Sequence, residues 1–304
     1  MNGVLVVDKP QGPTSHDVVA VARRCLRESR IGHTGTLDPM ATGVLPLACG
    51  AATRLVRFLS ASEKHYDATI RFGQTTDTYD ATGTVVSRTE RQPSQPQVED
   101  ALRSMIGDHL QMPPPFSAKK VGGRRAYDLA RRAEPVVLQP VPVRLSSAAL
   151  VEFNGETARI RLVCSAGFYV RSFAHALGEQ LGTGACLEAL RRTRSGAFGL
   201  DDAVTLEELQ RDPAAAARRV IPPGRLLPEL PGATLTDVGR TRVSHGQDVY
   251  PGHLRPDDAR SIAPAAEWVR LLDADGRLLA LAQPVPGGPP GRPPRALHPS
   301  VVLI

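Results

Sequence analysis

Apolar positions along this chain change period repeatedly, and each change marks an element. Residues 3–8 form a short apolar run ending in charge, which predicts a buried strand. After a Pro/Gly turn at 9–15, Val18, Val19, Ala22 and Leu26 recur at helical spacing, predicting a helix from a Ser15 cap to about Arg27. Residues 44–48 predict a second buried strand, and 51–59 a helix with Leu55, Val56 and Leu59 on one face. From Tyr66 to Gly73 the pattern alternates, with Tyr66, Ala68, Ile70 and Phe72 on one side and Asp67, Thr69 and Arg71 on the other. A polar loop at 91–97 precedes a predicted helix at 98–106. Residues 157–164 alternate again, and a helix follows to Leu181 with Ala174, Leu177 and Leu181 facing inward. Thr205 and Glu208 are spaced as a capping box for a short helix. Beyond Gly224 the texture shifts to short strands and turns at 235–247, 268–273, 277–282 and 301–304, with an Asp275-Gly276 hairpin, which predicts a small barrel. The Gly/Pro-rich segment 285–294 reads as a loop.

Between the first helix and the second predicted strand lies a stretch with neither period. Residues 32–43 are dense in Gly, Thr and Pro and can continue neither a helix nor a regular strand. They carry one acid, Asp38, with Pro39 fixing the backbone after it. A structured loop feeding straight into core elements holds a side chain rigidly at a cleft. By spacing alone, Asp38 caps a turn as readily as it performs chemistry.

Composition narrows the class. The chain has 304 residues, room for one large domain and a small one, and its 41% hydrophobic content supports a core. The formal charge of +6 rests on arginine, whose planar fork suits phosphates and stacks on bases. Cys25, Cys49, Cys164 and Cys186 form no CxxC pair and no cluster with histidine, so neither a zinc site nor a disulfide framework is indicated. No apolar run reaches membrane-spanning length, and the N-terminal run 4–7 is too short for a signal segment; a cytoplasmic protein is expected.

The run Gly32-His33-Thr34-Gly35-Thr36-Leu37-Asp38-Pro39-Met40-Ala41-Thr42-Gly43 resembles, almost letter for letter, the catalytic loop of the TruB family of tRNA pseudouridine synthases. The Lys9-Pro10-Gln11-Gly12-Pro13-Thr14-Ser15 turn is similar to that family's N-terminal motif, and the stretch from Cys164 through Arg171 to Gly178 to its second active-site motif. The resemblance implies an α+β pseudouridine-synthase fold: a mixed, largely antiparallel central sheet flanked by helices, followed by a small C-terminal PUA-like β-barrel. The corresponding division is a catalytic domain at 1–222, with an RNA-binding thumb insertion at about 112–135, and a tail at 223–304. Asp38 becomes the nucleophile, Arg171 its cationic partner and Tyr66 the ring on which the target base stacks. His33 would take the place of the extruded base, while Tyr169 and Leu190 line the pocket. Lys119, Lys120, Arg124 and Arg125, beside Tyr127 and a glycine pair, would close over the T arm, although such a basic run on its own reads as a solvated surface. Asp77 and Asp80, in the polar segment 74–83, read as turn formers, and Lys9 as a brace for the neighbouring loop.

The implied reaction isomerises the uridine at position 55 of the tRNA T loop. The N1–C1′ bond breaks, the uracil turns, and C5 joins C1′, with no redox change and therefore no cofactor or metal. The target must leave its stack, which is least costly in an RNA loop. The partner is the tRNA T stem-loop, with no membrane, guide RNA or obligate protein partner. Two other readings are less well served. An aspartate-nucleophile phosphatase would carry a second acid where Met40 stands, and a pure RNA-binding module would leave Asp38 idle.

Overall fold

The computed structural model describes residues 1–116, 120–121, 124–125, 138–261, 266–286 and 294–304. The strands, in chain order, are β1 (Gly3–Lys9), β2 (Ile31–His33), β3 (Thr42–Cys49), β4 (Lys64–Phe72), β5 (Gln74–Thr76), β6 (Val85–Arg88), β7 (Gly107–Gln111), β8 (Lys120–Val121), β9 (Arg124–Arg125), β10 (Val141–Phe153), β11 (Thr157–Cys164), β12 (Ala185–Ser195), β13 (Phe198–Gly199), β14 (Ala203–Thr205), β15 (Gly232–Thr234), β16 (Val269–Leu272), β17 (Leu278–Val285) and β18 (Ala296–Val302). Among the described residues, ten of them form one sheet in the order β14-β1-β3-β12-β4-β11-β10-β7, with β2 on β3 and β13 on β12. The β1–β14 and β3–β12 pairs are parallel and the other pairs antiparallel, so the sheet is mixed and largely antiparallel, as expected.

Both faces of its centre are buried, which explains the unbroken apolar run of β1. Leu5 and Val7 belong to one core cluster that also takes in Val18, Leu102 and Phe173 of the helices Ser15–Leu26, Gln95–Ser104 and Val170–Leu181. Val4 and Val6 point the other way and share a core with Val44, Ala48, Leu226, Leu278, Val301 and Leu303. The alternation predicted for β4 and β11 is present, with Tyr66, Ala68, Ile70 and Phe72 buried alongside Ala158, Ile160, Leu162 and Cys164.

Several boundaries and one architecture differ from the sequence reading. Thr14, not Ser15, caps the first helix through a capping box with Asp17, and the left-handed Arg27 (φ 51°) ends it. Ser15 is freed for another task, described below. Residues 50–55 wind as a tight 3-10 turn before the short helix Val56–Ser60, because Gly50 sits in the left-handed region. The third helix starts earlier than expected, at Gln95, on a Ser94–Gln97 capping box.

The C-terminal strands form an open four-stranded sheet, β15-β16-β17-β18, and not a closed barrel. The residues read as strand and turn at 235–247 instead hold the helix Asp237–Ser244, capped by Thr236. Gly239 inside that helix hid it from pattern reading; a Cβ there would run into the His253 carbonyl. The expected thumb falls largely outside the described residues, Lys119 included. Within it, Lys120–Val121 pairs antiparallel with Arg124–Arg125.

Candidate active site

The 32–43 stretch, expected to continue no strand, ends β2 at Gly32 and His33 and opens β3 at Thr42 and Gly43; the irregular backbone is 34–41, held by buried side chains. Arg192, on the central strand β12 and 1% exposed, donates from Nε to the Val44 carbonyl at 2.7 Å and from Nη2 to that of Gly35 at 3.0 Å, with a longer contact to Thr36. Ser15 Oγ donates to the Leu37 carbonyl at 2.9 Å, and the Leu37 N–H donates back to it at 2.8 Å. Lys9, fully buried on β1, places its three ammonium protons on the carbonyls of Pro10, Pro39 and Ala41 at 2.9, 3.3 and 2.7 Å. Burial pulls the Lys9 pKa down to about 8, against the attraction of Asp38, so at neutral pH it still carries all three donors. The loop's polar backbone is thereby satisfied away from water, while Leu37, Met40 and Ala41 anchor it in the core. At its end Gly43 has φ 101°, and parallel pairing with Arg192 brings the neighbouring backbone so close that a Cβ would overlap the Arg192 carbonyl.

Asp38 stands between the anchors Leu37 and Met40, its side chain 36% exposed. The turn is closed by its backbone carbonyl, which accepts from Ala41 N–H at 3.0 Å. Its carboxylate faces Arg171, which grips it with two nitrogens, Nε to Oδ2 at 2.9 Å and Nη2 to Oδ1 at 3.2 Å. Arg171 lies in the first turn of the helix Val170–Leu181 and is 7% exposed. Its remaining donors meet the carbonyls of Thr78 at 3.1 Å and Phe116 at 2.9 Å, and Asp80 Oδ2 lies 3.5 Å from Nη1. The guanidinium is therefore surrounded, and its plane is fixed by groups other than Asp38. Tyr169, at the helix N-cap, is held by Gln111, whose side chain accepts from its N–H at 2.8 Å and donates to its carbonyl at 3.0 Å.

These residues meet at one end of the sheet, where β4 starts and β11 ends. His33, Asp38, Tyr66, Tyr169, Arg171 and Leu190 all line one cleft of about 470 Å³, a size suited to a small ligand or one extruded base. Tyr66 is 9% exposed, and burial raises its phenol pKa, so the ring stays neutral. Leu190, 8% exposed, comes from the adjacent strand β12. His33 is half-buried, with Nδ1 shielded from solvent and lacking a hydrogen-bond partner. Burial, helped by Arg192 and His16, lowers its pKa, which favours the neutral ring. Of the basic thumb residues, Lys119 lies outside the described residues, and only the backbone pairing of Lys120, Arg124 and Arg125 is defined.

Pattern reading missed three contributors. Asp80 does form a turn, its Oδ1 accepting from Thr78 Oγ1 at 2.9 Å and from Thr82 N–H at 3.0 Å, but its other oxygen serves Arg171. Arg192 and Lys64 carry no local sign of a role in the sequence. Lys64 is 5% exposed, lines the cleft, and donates to the Ser60 carbonyl at 2.5 Å and to that of Ser62; burial lowers its pKa to about 8.

Known proteins are similar to this chain along its whole length. Residues 23–170 match the TruB family pseudouridylate synthase N-terminal domain, and residues 171–224 the tRNA pseudouridylate synthase B C-terminal domain. The tRNA pseudouridine synthase B of Solibacter usitatus is 42% identical over 100% of both chains. The chain belongs to the TruB family of tRNA pseudouridine synthases. A second TruB relative, from Geobacter sulfurreducens, is 41% identical over 94% of this chain and 95% of its own. Among solved structures, a Cbf5-Nop10-Gar1 complex aligns with TM-score 0.75 and 26% identity over 99% of this chain and 85% of that one. An H/ACA RNP bound to a substrate RNA containing 2′-deoxyuridine aligns with TM-score 0.73 at 25% identity, again over 99% and 85%. As a TruB synthase the chain is an isomerase acting on uridine in tRNA, and the mixed sheet with its flanking helices is the fold of that family.

Proposed function

We propose that the chain isomerises the uridine at position 55 of the tRNA T loop, with Asp38 as the nucleophile and the target base flipped into the cleft beside Tyr66. The observation that carries this reading is the two-point grip of Arg171 on a part-exposed Asp38 at a base-sized cleft. Arg171 holds the carboxylate in one orientation, so an oxygen on its exposed side can attack without reorganisation. Tyr66 and Leu190 form the apolar walls that receive the uracil, and Tyr169 borders them. His33, at the rim and with a nitrogen unsatisfied within the protein, fills the gap the base leaves in the loop. The glycosidic bond breaks and reforms at C5 in the same pocket, so the uracil is retained between the two steps. The deciding assay is pseudouridine formation on one unmodified tRNA transcript beside a transcript with cytidine at position 55. Product in the first and none in the second is expected; equal product in both would overturn the position.

The chain acts on the T stem-loop of free tRNA in the cytoplasm, without a guide RNA or an obligate protein partner. Residues 1–222 carry the chemistry with the thumb inserted at about 112–135, and residues 223–304 form a PUA-like RNA-binding part built on the open four-stranded sheet. Exposed Arg240 and Arg255 support an RNA role for that part. The thumb supplies phosphate contacts from Lys119, Lys120, Arg124 and Arg125. Neutralising all four is expected to weaken tRNA binding and reduce the slope of log affinity against log salt by about 1 for each phosphate left without its cation. Turnover at saturating tRNA should persist. An unchanged salt slope in filter binding would remove the thumb from the RNA-binding surface.

A further inference from the structure

Tyr79 sits between the two residues that grip Arg171 from behind, Thr78 through its carbonyl and Asp80 through its carboxylate. Its φ is 64°, a left-handed conformation that bulky side chains avoid and that Gly or Asn would take with less strain. The backbone there is stitched to β12, the Tyr79 carbonyl accepting from Leu187 N–H at 2.9 Å and Ala81 N–H donating to the Leu187 carbonyl at 2.8 Å. A turn made only to reverse the chain has no use for a tyrosine in this place. The ring, however, lies flat on the imidazole of His175, with centroids 3.9 Å apart and planes 6° from parallel. His175 follows Arg171 by one helical turn on Val170–Leu181, so both project toward the same turn. Three successive residues, 78, 79 and 80, thus engage two side chains of one helix face. Tyr79 is not among the residues lining the cleft, so its contribution reaches the reaction only through Arg171.

We propose that the Tyr79–His175 stack is a positioning clamp: it sets the Thr78–Asp80 turn against the helix and so holds the Arg171 guanidinium in register with Asp38. This inference rests on the assignment of Asp38 and Arg171 above. Without the stack, the turn keeps its backbone bonds to β12 and the helix keeps its own hydrogen bonds, but among the described residues the turn would bear on this helix face through the Arg171 contacts to Thr78 and Asp80 alone. Arg171 would then present its fork to Asp38 over a range of angles.

The test uses full-length protein and T-arm tRNA, with Tyr79→Asn, Tyr79→Phe and His175→Ala. Asparagine tolerates the left-handed backbone, so Tyr79→Asn removes the ring without forcing the turn. We expect kcat to fall by about tenfold to a hundredfold in Tyr79→Asn and His175→Ala, with tRNA affinity unchanged. Tyr79→Phe, which keeps the stack, restores the rate. Because the two rings act as one unit, the double variant loses no more than the worse single one. Wild-type kcat in folded Tyr79→Asn, even with a lowered melting temperature, would reduce the stack to ordinary packing and overturn the clamp; so would additive losses in the double variant. If Tyr79→Asn does not fold, His175→Ala at its half-buried helix position decides by the same criteria. Asp38→Asn run in parallel separates the two levels: if it is inactive, the site assignment stands whatever Tyr79 does, and if it turns over, both fail together.

Discussion

Asp38→Asn removes pseudouridine formation to below detection while the protein stays folded and binds tRNA; this is the largest effect the structure predicts. The amide is nearly isosteric with the carboxylate but is no nucleophile. The loop does not depend on the Asp38 side chain for its shape, because Lys9, Ser15 and Arg192 hold its carbonyls and Leu37, Met40 and Ala41 hold it in the core. On the proposed reading the phosphate contacts come from the thumb and the C-terminal part, so tRNA affinity is expected to stay within about tenfold, or about 1.4 kcal/mol. The variant should also fail to form any covalent adduct with an RNA carrying 5-fluorouridine at the target. A turn-capping role predicts the reverse, lost stability with activity per folded molecule intact. The geometry disfavours it, since the turn is closed by the Asp38 backbone carbonyl while the carboxylate points at Arg171. Turnover near wild type in a well-folded variant would refute the assignment.

Arg171→Lys is expected to lower kcat by about a hundredfold or more with a much smaller change in tRNA affinity. The charge survives, but the guanidinium uses a planar fork on Asp38 while also meeting Thr78, Asp80 and Phe116. An ammonium is a point charge with three donors and cannot reach all of these from one position. It will settle on the nearer groups and leave either Asp38 unoriented or Asp80, 4% exposed, without its partner. Losing a buried partner costs about 3–5 kcal/mol when the charge left behind is uncompensated, so the variant should also melt earlier. Single-turnover rates and a thermal melt on the same preparation separate the two effects. A near-normal rate would show that orientation of Asp38 does not depend on the fork.

What was legible in the sequence follows a simple physical division. Elements whose partners lie close in sequence, or whose faces differ sharply, were visible: the β4 and β11 alternation, the 18–26 stripe, the Thr205–Glu208 box. The Asp38 loop was visible through its unusual composition and its family resemblance, which pointed to Asp38, Tyr66 and Arg171 as one site. The central strand β12 was not predicted as a strand; Arg191, Arg192 and Arg194 interrupt its apolar pattern. Their partners are far away in the chain: Arg191 forms a two-point bridge with Asp8 at 2.7 and 3.1 Å, and Arg192 spends its guanidinium on loop carbonyls. A buried arginine that binds backbone leaves no local signature. Asp80 was half-read for the same reason, since one of its oxygens obeys local turn chemistry and the other answers to a helix far along the chain.

The core shared by Val4, Val6, Val44 and Ala48 with Leu226, Leu278, Val301 and Leu303 bears on how the chain is made. The first strand can pair with β3 as soon as both have emerged from the ribosome, and its inner face is covered by helices that come early and midway. Its outer face waits for residues from the opposite end of the sequence. Until they arrive, a nascent chain presents an apolar sheet surface to solvent, the kind of surface on which incomplete chains associate. Closure of that face is among the longest-range events in folding and is correspondingly slow. The C-terminal sheet therefore serves β1 and β3 as a late structural layer, and that apolar face is covered only once residues such as Leu278, Val301 and Leu303 have joined it.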